Sequence, residues 1–412
     1  MSGMNINRAW RVTLAVGATL LGPLVSAQDY PHALEPIGTV REMYDGRLRP
    51  DIAVNTFRNI DRLFPTRVVH RGKTVFPLPK AAHPLSDVHF QSNGKKWDLF
   101  DYLAVNRVAG LLVLKNGEIA YEDYEFNNSE KTHWMSMSVA KSITSTLIGA
   151  AIHQKRIASI NEPVTRYVPQ LLGSAYEGVS IRDILMMSSG VKWNETYTDP
   201  QSDRRHLLEV QIAQQPGAAM TLMSRLSRAA PPGTVNNYST GETQIAGEAL
   251  HRAIGITLSD YLSERIWAKF GMESDASWWL ASPDGSEMAG SGFSAVLRDY
   301  ARFGLFFANG GVAGGEQILP PGWTEEAGSP KVLKGGKPLS YGYFWWPAWP
   351  TNASPDPHGA FAAIGIIGQY LYIDPQEKVV IVAWGARSKP EGMEIIDDMD
   401  FFAAVVAALH SG

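Results

Sequence analysis

The stretch that decides the fold reads Met137-Ser138-Val139-Ala140-Lys141-Ser142, continuing as Ile143-Thr144-Ser145-Thr146-Leu147-Ile148-Gly149-Ala150-Ala151. Val139, Ile143, Leu147, Ile148 and Ala151 recur at helical spacing, which predicts a helix from about Ser138 to His153. Positions i and i+3 share a helix face, so the Ser138 hydroxyl and the Lys141 ammonium can meet. A serine hydroxyl is a weak nucleophile and needs a neighbouring base. Lysine can be that base when burial or nearby cations keep part of it neutral. The helix start also offers the Ser138 N–H as an oxyanion donor. The competing reading makes Ser138 a plain helix cap. A capping box, however, wants Glu or Gln three residues on, and Lys141 has the wrong sign beside a positive helix end.

Upstream, two apolar runs within Val108 to Asp123 flank Asn116-Gly117, a strong hairpin signal because both residues tolerate positive φ. Downstream lie a predicted helix over Ile181 to Met187, a loop-rich stretch from Ser188 to about Arg204, and a helix beginning near Ser239. A further helix fits Ser294 to Ala308, closed by Asn309-Gly310-Gly311. Gly368 to Ile373 and Lys378 to Trp384 read as strands, and Met393 to Leu409 as a last helix. Strands therefore lie at both ends and helices in the middle. This predicts an α/β (α+β) fold, an antiparallel sheet built from both ends and flanked by helices, with an inserted all-helical lobe. The expected division is an N-terminal extension over 28–105, an α/β lobe over 106–155 and 290–412, and a helical lobe over 156–289. The active site would sit between the lobes.

Two more stretches carry chemistry. Tyr238-Ser239-Thr240 follows the Pro231-Pro232-Gly233 turn, and a phenol beside a lysine ammonium has a depressed pKa and relays protons. Against this, Ser239-x-x-Glu242 is itself a capping box, leaving Tyr238 as the residue before a cap. Gly365-Ile366-Ile367-Gly368-Gln369 leads into a strand, and glycines there allow close approach of a ligand. An N–H near Gln369 is a candidate second oxyanion donor. Trp193, Trp345 and Trp346 are candidates for an apolar cleft or, equally, for core.

In order and spacing these motifs resemble serine β-lactamases and penicillin-binding proteins, whose Ser-x-x-Lys opens a helix. The chain is most similar to their class C and esterase branch and, within it, to the 6-aminohexanoate-dimer (nylon-oligomer) hydrolases. Met187-Ser188-Ser189-Gly190-Val191, Tyr197-Thr198-Asp199-Pro200, Tyr238-Ser239-Thr240-Gly241-Glu242-Thr243 and Gly292-Phe293-Ser294-Ala295 complete the resemblance. It implies Ser138 as the acylated serine, Lys141 as general base and Tyr238 as proton relay. Gly368 and Gln369 would border the oxyanion, and Tyr197 would be a loop tyrosine over the substrate. Two departures stand out. Thr240 replaces an asparagine of class C enzymes, and Ile366-Ile367-Gly368 replaces a Lys-Thr-Gly whose cation holds the β-lactam carboxylate. The expected substrate is therefore a small ester or linear amide. A class C-like β-lactamase or D-alanyl peptidase is the alternative, and a catalytically silent binding protein the second.

Composition narrows the field. Of 412 residues, 45% are hydrophobic and the formal charge is −4, which argues against nucleic acid as a partner. The absence of cysteine excludes disulfides and a cysteine nucleophile. No metal or cofactor is expected, since the ten histidines are scattered and no His-Glu-x-x-His occurs. His133, five residues before Ser138, reads as a loop residue. Arg8 and Arg11 precede an apolar run from Val12 to Val25 that ends in Val25-Ser26-Ala27, a signal-peptide pattern over 1–27. The run falls short of the ~20 residues of a membrane span. A periplasmic or secreted bacterial protein is expected, with no membrane span after cleavage.

Overall fold

The computed structural model describes residues 30–357 and 359–411, so the expected signal segment lies outside the described residues. The hairpin forms as predicted: Asn116 (φ 54°) and Gly117 (φ 82°) join strands Val108–Lys115 and Glu118–Tyr124. That hairpin is one edge of a six-stranded sheet. Across it the order is Trp346–Pro347, Phe361–Gly365, Gln369–Asp374, Val379–Gly385, Val108–Lys115, Glu118–Tyr124, with every neighbouring pair antiparallel. The last strand of the chain thus pairs with the first of this sheet, Ile381 opposite Val113.

Side chains alternate across a strand, and here both faces are dry. Leu112 and Leu114 enter one core while Leu111 and Val113 enter the other. Helices Val139–His153 and Leu297–Ala308 cover the first face. Gly304 allows the second of these close in, because a Cβ there would lie 2.6 Å from Val380 Cγ1. Helices Leu99–Val105 and Asp398–Ser411 cover the other face, with Tyr102 stacked on Phe401 at 3.7 Å and its hydroxyl donating to Asp398 at 2.8 Å.

A second antiparallel sheet runs Thr66–Val69, Ala276–Trp279, Phe293–Val296, His133–Met135. It corrects two expectations. His133 opens a strand paired with Val296 rather than sitting in a loop. Ser294 to Val296 is strand, and the following helix begins at Leu297, because pairing with two neighbours outweighs the local helical pattern. The last helix likewise begins later than its periodicity suggested, at Asp398, where Asp397 accepts from the Met399 N–H at 2.8 Å.

The segment before Leu99 is more regular than its composition suggests. It holds helix Val40–Asp45, closed at its start by a Thr39–Glu42 capping box, helix Pro50–Phe57, and the edge strand Thr66–Val69. Between the sheet elements the chain is mainly helical, through Ile181–Leu185, Asp203–Ile212, Ala218–Ser224, Thr240–Ile254 and Leu258–Leu262. Among the described residues no helix is long and apolar enough to cross a membrane.

Candidate active site

Strand His133–Met135 delivers the chain to Ser138 through Met137, whose φ of 44° is a left-handed conformation uncommon outside glycine. Ser138 itself is already helical (φ −73°, ψ −4°) and its side chain caps nothing. Its hydroxyl instead receives a hydrogen bond from Lys141 Nζ at 2.8 Å. Lys141 is 1% exposed and also donates to the Gly290 carbonyl at 3.0 Å. Burial lowers its pKa from 10.5 to about 7, with the Glu195 charge opposing and the Arg204 charge adding to the fall. A lysine held there is partly neutral at physiological pH.

Tyr238 closes the group. Its ring lies 5.2 Å from Lys141 Nζ, it lines the same cavity as Ser138, and Trp346 stacks on it at 5.7 Å. The capping reading of this stretch is realised in part. Ser239 accepts from the Glu242 N–H at 3.2 Å and so caps the helix, yet Tyr238 just ahead of it faces the serine. The Glu242 carboxyl does not complete the box but accepts from the Ser189 hydroxyl. One expectation is corrected: burial, then the Glu195 charge, raises the Tyr238 pKa, so the phenol stays protonated at neutral pH.

These groups open into a cavity of about 370 Å³. One wall is the hairpin turn between strands Phe361–Gly365 and Gln369–Asp374, so Gly368 belongs to a turn and the strand begins at Gln369. Gly365 abuts the serine, since a Cβ there would lie 2.6 Å from Ser136 O and 3.0 Å from Ser138 N. Among the described residues neither the Ser138 N–H nor the Ile366 N–H meets an acceptor. Gly368 lines the cavity; Gln369 does not. The Gln369 amide is committed elsewhere, accepting from Trp134 Nε1 at 3.0 Å and donating to Gly385 O at 2.8 Å. The backbone that abuts Ser138 is that of Gly365, four residues before the position read from the sequence.

The opposite wall carries Tyr197 together with residues the sequence did not single out: Glu195, Arg387, Glu391 and Glu394. Glu195 is fixed by Trp193 Nε1 at 2.5 Å, the Thr240 N–H at 2.9 Å and the Thr240 hydroxyl at 2.5 Å. Thr240, a departure from the class C pattern, thus holds a carboxylate over the site. Arg387 is neutralised by Asp398, which accepts from it at 2.6 and 2.7 Å. Of the three tryptophans, Trp345 and Trp193 are core and Trp346 lines the cavity. Among the described residues no cluster of acidic or histidine side chains is arranged to hold a metal.

A serine and a buried lysine one helical turn apart, between an antiparallel sheet and a helical region, define a member of the serine-hydrolase superfamily of β-lactamases and penicillin-binding proteins. Residues 102–403 match the beta-lactamase family model, and the chain belongs to that family. It is 29% identical over 354 residues to the 6-aminohexanoate-dimer hydrolase of Paenarthrobacter ureafaciens, covering 81% of this chain and 86% of that one. In fold it is similar to a Bacillus anthracis protein provisionally assigned as a 6-aminohexanoate-dimer hydrolase (TM-score 0.75, 24% identity, 92% of this chain and 98% of that one). It is also similar to a family VIII carboxylesterase (TM-score 0.55, 16% identity, 73% of this chain and 91% of that one).

Proposed function

We propose that this protein hydrolyses small linear amides or esters through an acyl-enzyme on Ser138. The observation that carries the reading is the 2.8 Å contact between Ser138 Oγ and a buried lysine whose pKa is lowered to about 7. Neutral Lys141 takes the serine proton as Oγ attacks the carbonyl carbon. The Ser138 N–H and the Gly365–Ile366 backbone receive the developing oxyanion, where one donor is worth about 10²–10³ in rate. Tyr238, protonated and facing the same cavity as Ser138, hands a proton to the departing amine or alcohol and is reprotonated from Lys141. Water then attacks the ester carbonyl of the acyl-enzyme and releases the acid.

The cavity favours linear substrates with an amine end over penicillin-like acids. Glu195, Glu391 and Glu394 face it, Ile366 offers a β-lactam carboxylate no cation, and Arg387 is already paired. The Paenarthrobacter relative, named for hydrolysis of a linear amide, supports the same class. The first 27 residues support export, with the mature chain acting in a bacterial periplasm or outside the cell.

The test is turnover of p-nitrophenyl butyrate, the linear 6-aminohexanoate dimer and nitrocefin by the mature protein, with Ser138→Ala as control. Ester or dimer hydrolysis lost in Ser138→Ala, with nitrocefin barely touched, is the expected result. Silence on all three probes, and no labelling of Ser138 by a fluorophosphonate, would replace the hydrolase reading with a binding protein of the same fold.

A further inference from the structure

Both loops of the wall that carries Tyr197 and Arg387 are held from one place, a short helix far away in sequence. Arg205, 4% exposed, donates from Nη1 to the Tyr197 carbonyl at 3.1 Å and to Asp45 Oδ1 at 2.6 Å. Arg204 donates to the Tyr44 hydroxyl, stacks its guanidinium 4.5 Å from the centre of that ring, and sits 3.9 Å from Glu195. The Tyr44 and Tyr197 rings are 6.2 Å apart. One residue further, Gly46 ends the helix in a left-handed conformation against the second of these loops, where an added Cβ would lie 3.0 Å from Lys389 Cγ and 3.3 Å from Ser388 O. Lys389 is two residues from Glu391. The end of helix Val40–Asp45 is thus wedged between the Glu195–Tyr197 loop and the Arg387–Glu391 loop.

That helix precedes the family-matched residues, which begin at 102. Nothing in the chemistry of Ser138, Lys141 and Tyr238 requires it. Yet two buried guanidinium groups are held against it, and desolvating a cation is costly unless its partners are fixed. Asp45 and the Tyr44 oxygen are what fixes Arg205 and Arg204 from this side. Moving either partner leaves a buried cation free to pull on Tyr197 and Glu195.

We propose that helix Val40–Asp45 is a strut that sets the substrate-facing loops, and that Tyr44 and Asp45 are positioning residues acting through Arg204 and Arg205. They govern how well the substrate is held and leave the acylation chemistry alone. The inference rests on the hydrolase reading above, and the two fail separately.

The experiment compares full-length Asp45→Ala, Asp45→Glu and Tyr44→Phe with the wild type. Arg41→Ala serves as control; Arg41 lies on the same helix but is exposed and pairs with Glu209. Labelling of Ser138 by a small fluorophosphonate reads the chemistry. KM and kcat on whichever probe the wild type turns over read the loops, and thermal melting reads the fold. Asp45→Ala and Tyr44→Phe should raise KM about fivefold to tenfold, the scale of one lost charge-assisted hydrogen bond felt indirectly. Labelling and kcat should stay within about twofold. Asp45→Glu should recover most of the loss, and Arg41→Ala should behave as wild type. The inference is overturned by an unchanged KM in both variants. It is also overturned by a parallel fall of KM-dependent rate, labelling and melting temperature, which would make the helix a structural brace only. A wild type that neither labels nor turns over would instead sink the hydrolase reading, and this inference with it.

Discussion

Replacing Lys141 by methionine should abolish acylation and make the protein more stable. The fall of the lysine pKa from 10.5 to about 7 means that the fold disfavours the ammonium, at about 5 kcal/mol for 1.36 kcal/mol per pH unit. Below pH 7 that cost is fully present, because folded and unfolded chains both carry the proton. Between pH 7 and 10.5 the unfolded chain holds a proton the native one has lost, so wild-type stability rises with pH. Methionine has a similar length and no charge. It removes the cost but leaves the Gly290 carbonyl without its donor, a penalty of about 1–3 kcal/mol. The variant should therefore exceed the wild type by about 2–4 kcal/mol at pH 6. The advantage should shrink by about 3 kcal/mol by pH 9. Urea unfolding of both proteins at the two pH values measures it. A variant less stable than wild type at pH 6, or an advantage that does not change with pH, would refute the account of Lys141 as a buried, partly neutral base. The same titration governs the rate: kcat/KM of the wild type should climb tenfold per pH unit below about 7 and level off above it.

Tyr238→Phe keeps the ring on Trp346 and removes the phenol, so kcat should fall about 10²–10⁴ with little change in melting temperature; a near-normal rate would leave Tyr238 only its place ahead of the helix cap. Gly365→Ala presses a methyl group onto Ser136 O and Ser138 N. Acylation should drop about 10²–10³, and an unchanged labelling rate would remove this edge from the oxyanion site. Glu242, buried with one carboxyl oxygen unpartnered among the described residues, is pushed up to about 8 by burial, so the native state holds a proton the unfolded state loses above about 4.5. Stability supplied by that proton is lost as pH rises to 8. Glu242→Gln should match the wild type near pH 5 and gain on it up to pH 8, and parallel unfolding curves would contradict this.

The features legible in the sequence are those set by local spacing. Ser138 and Lys141 needed only the i, i+3 geometry of a helix, and Asn116-Gly117 only the φ preferences of two residues. Tyr238 was legible through its turn and its family resemblance, though not the direction of its pKa, which depends on burial. What escaped is set by long-range packing. Strand Thr66–Val69 exists because Ala276–Trp279 is beside it. Glu195, Glu391 and Glu394 sit in polar loops without periodicity, and only the folded chain brings them to one cavity. The error at Gln369 has the same origin. A glycine-punctuated run marks a close approach, but which of its residues faces the serine is fixed by the register of Gly365 opposite Gln369.

The pairing of strand Val379–Gly385 with Val108–Lys115 has a consequence for how the protein comes to life. A nascent chain that has emerged only as far as residue 350 carries Ser138, Lys141 and Tyr238, but neither the strand that bears Gly365 nor the loop that bears Arg387 and Glu391. Its central sheet lacks the middle. Such contacts between distant residues close late and slowly. The serine proposed as nucleophile, about a third of the way along the chain, thus stays without its full cavity until the last strands arrive, and appearance of hydrolytic activity during refolding would time the closing of that sheet.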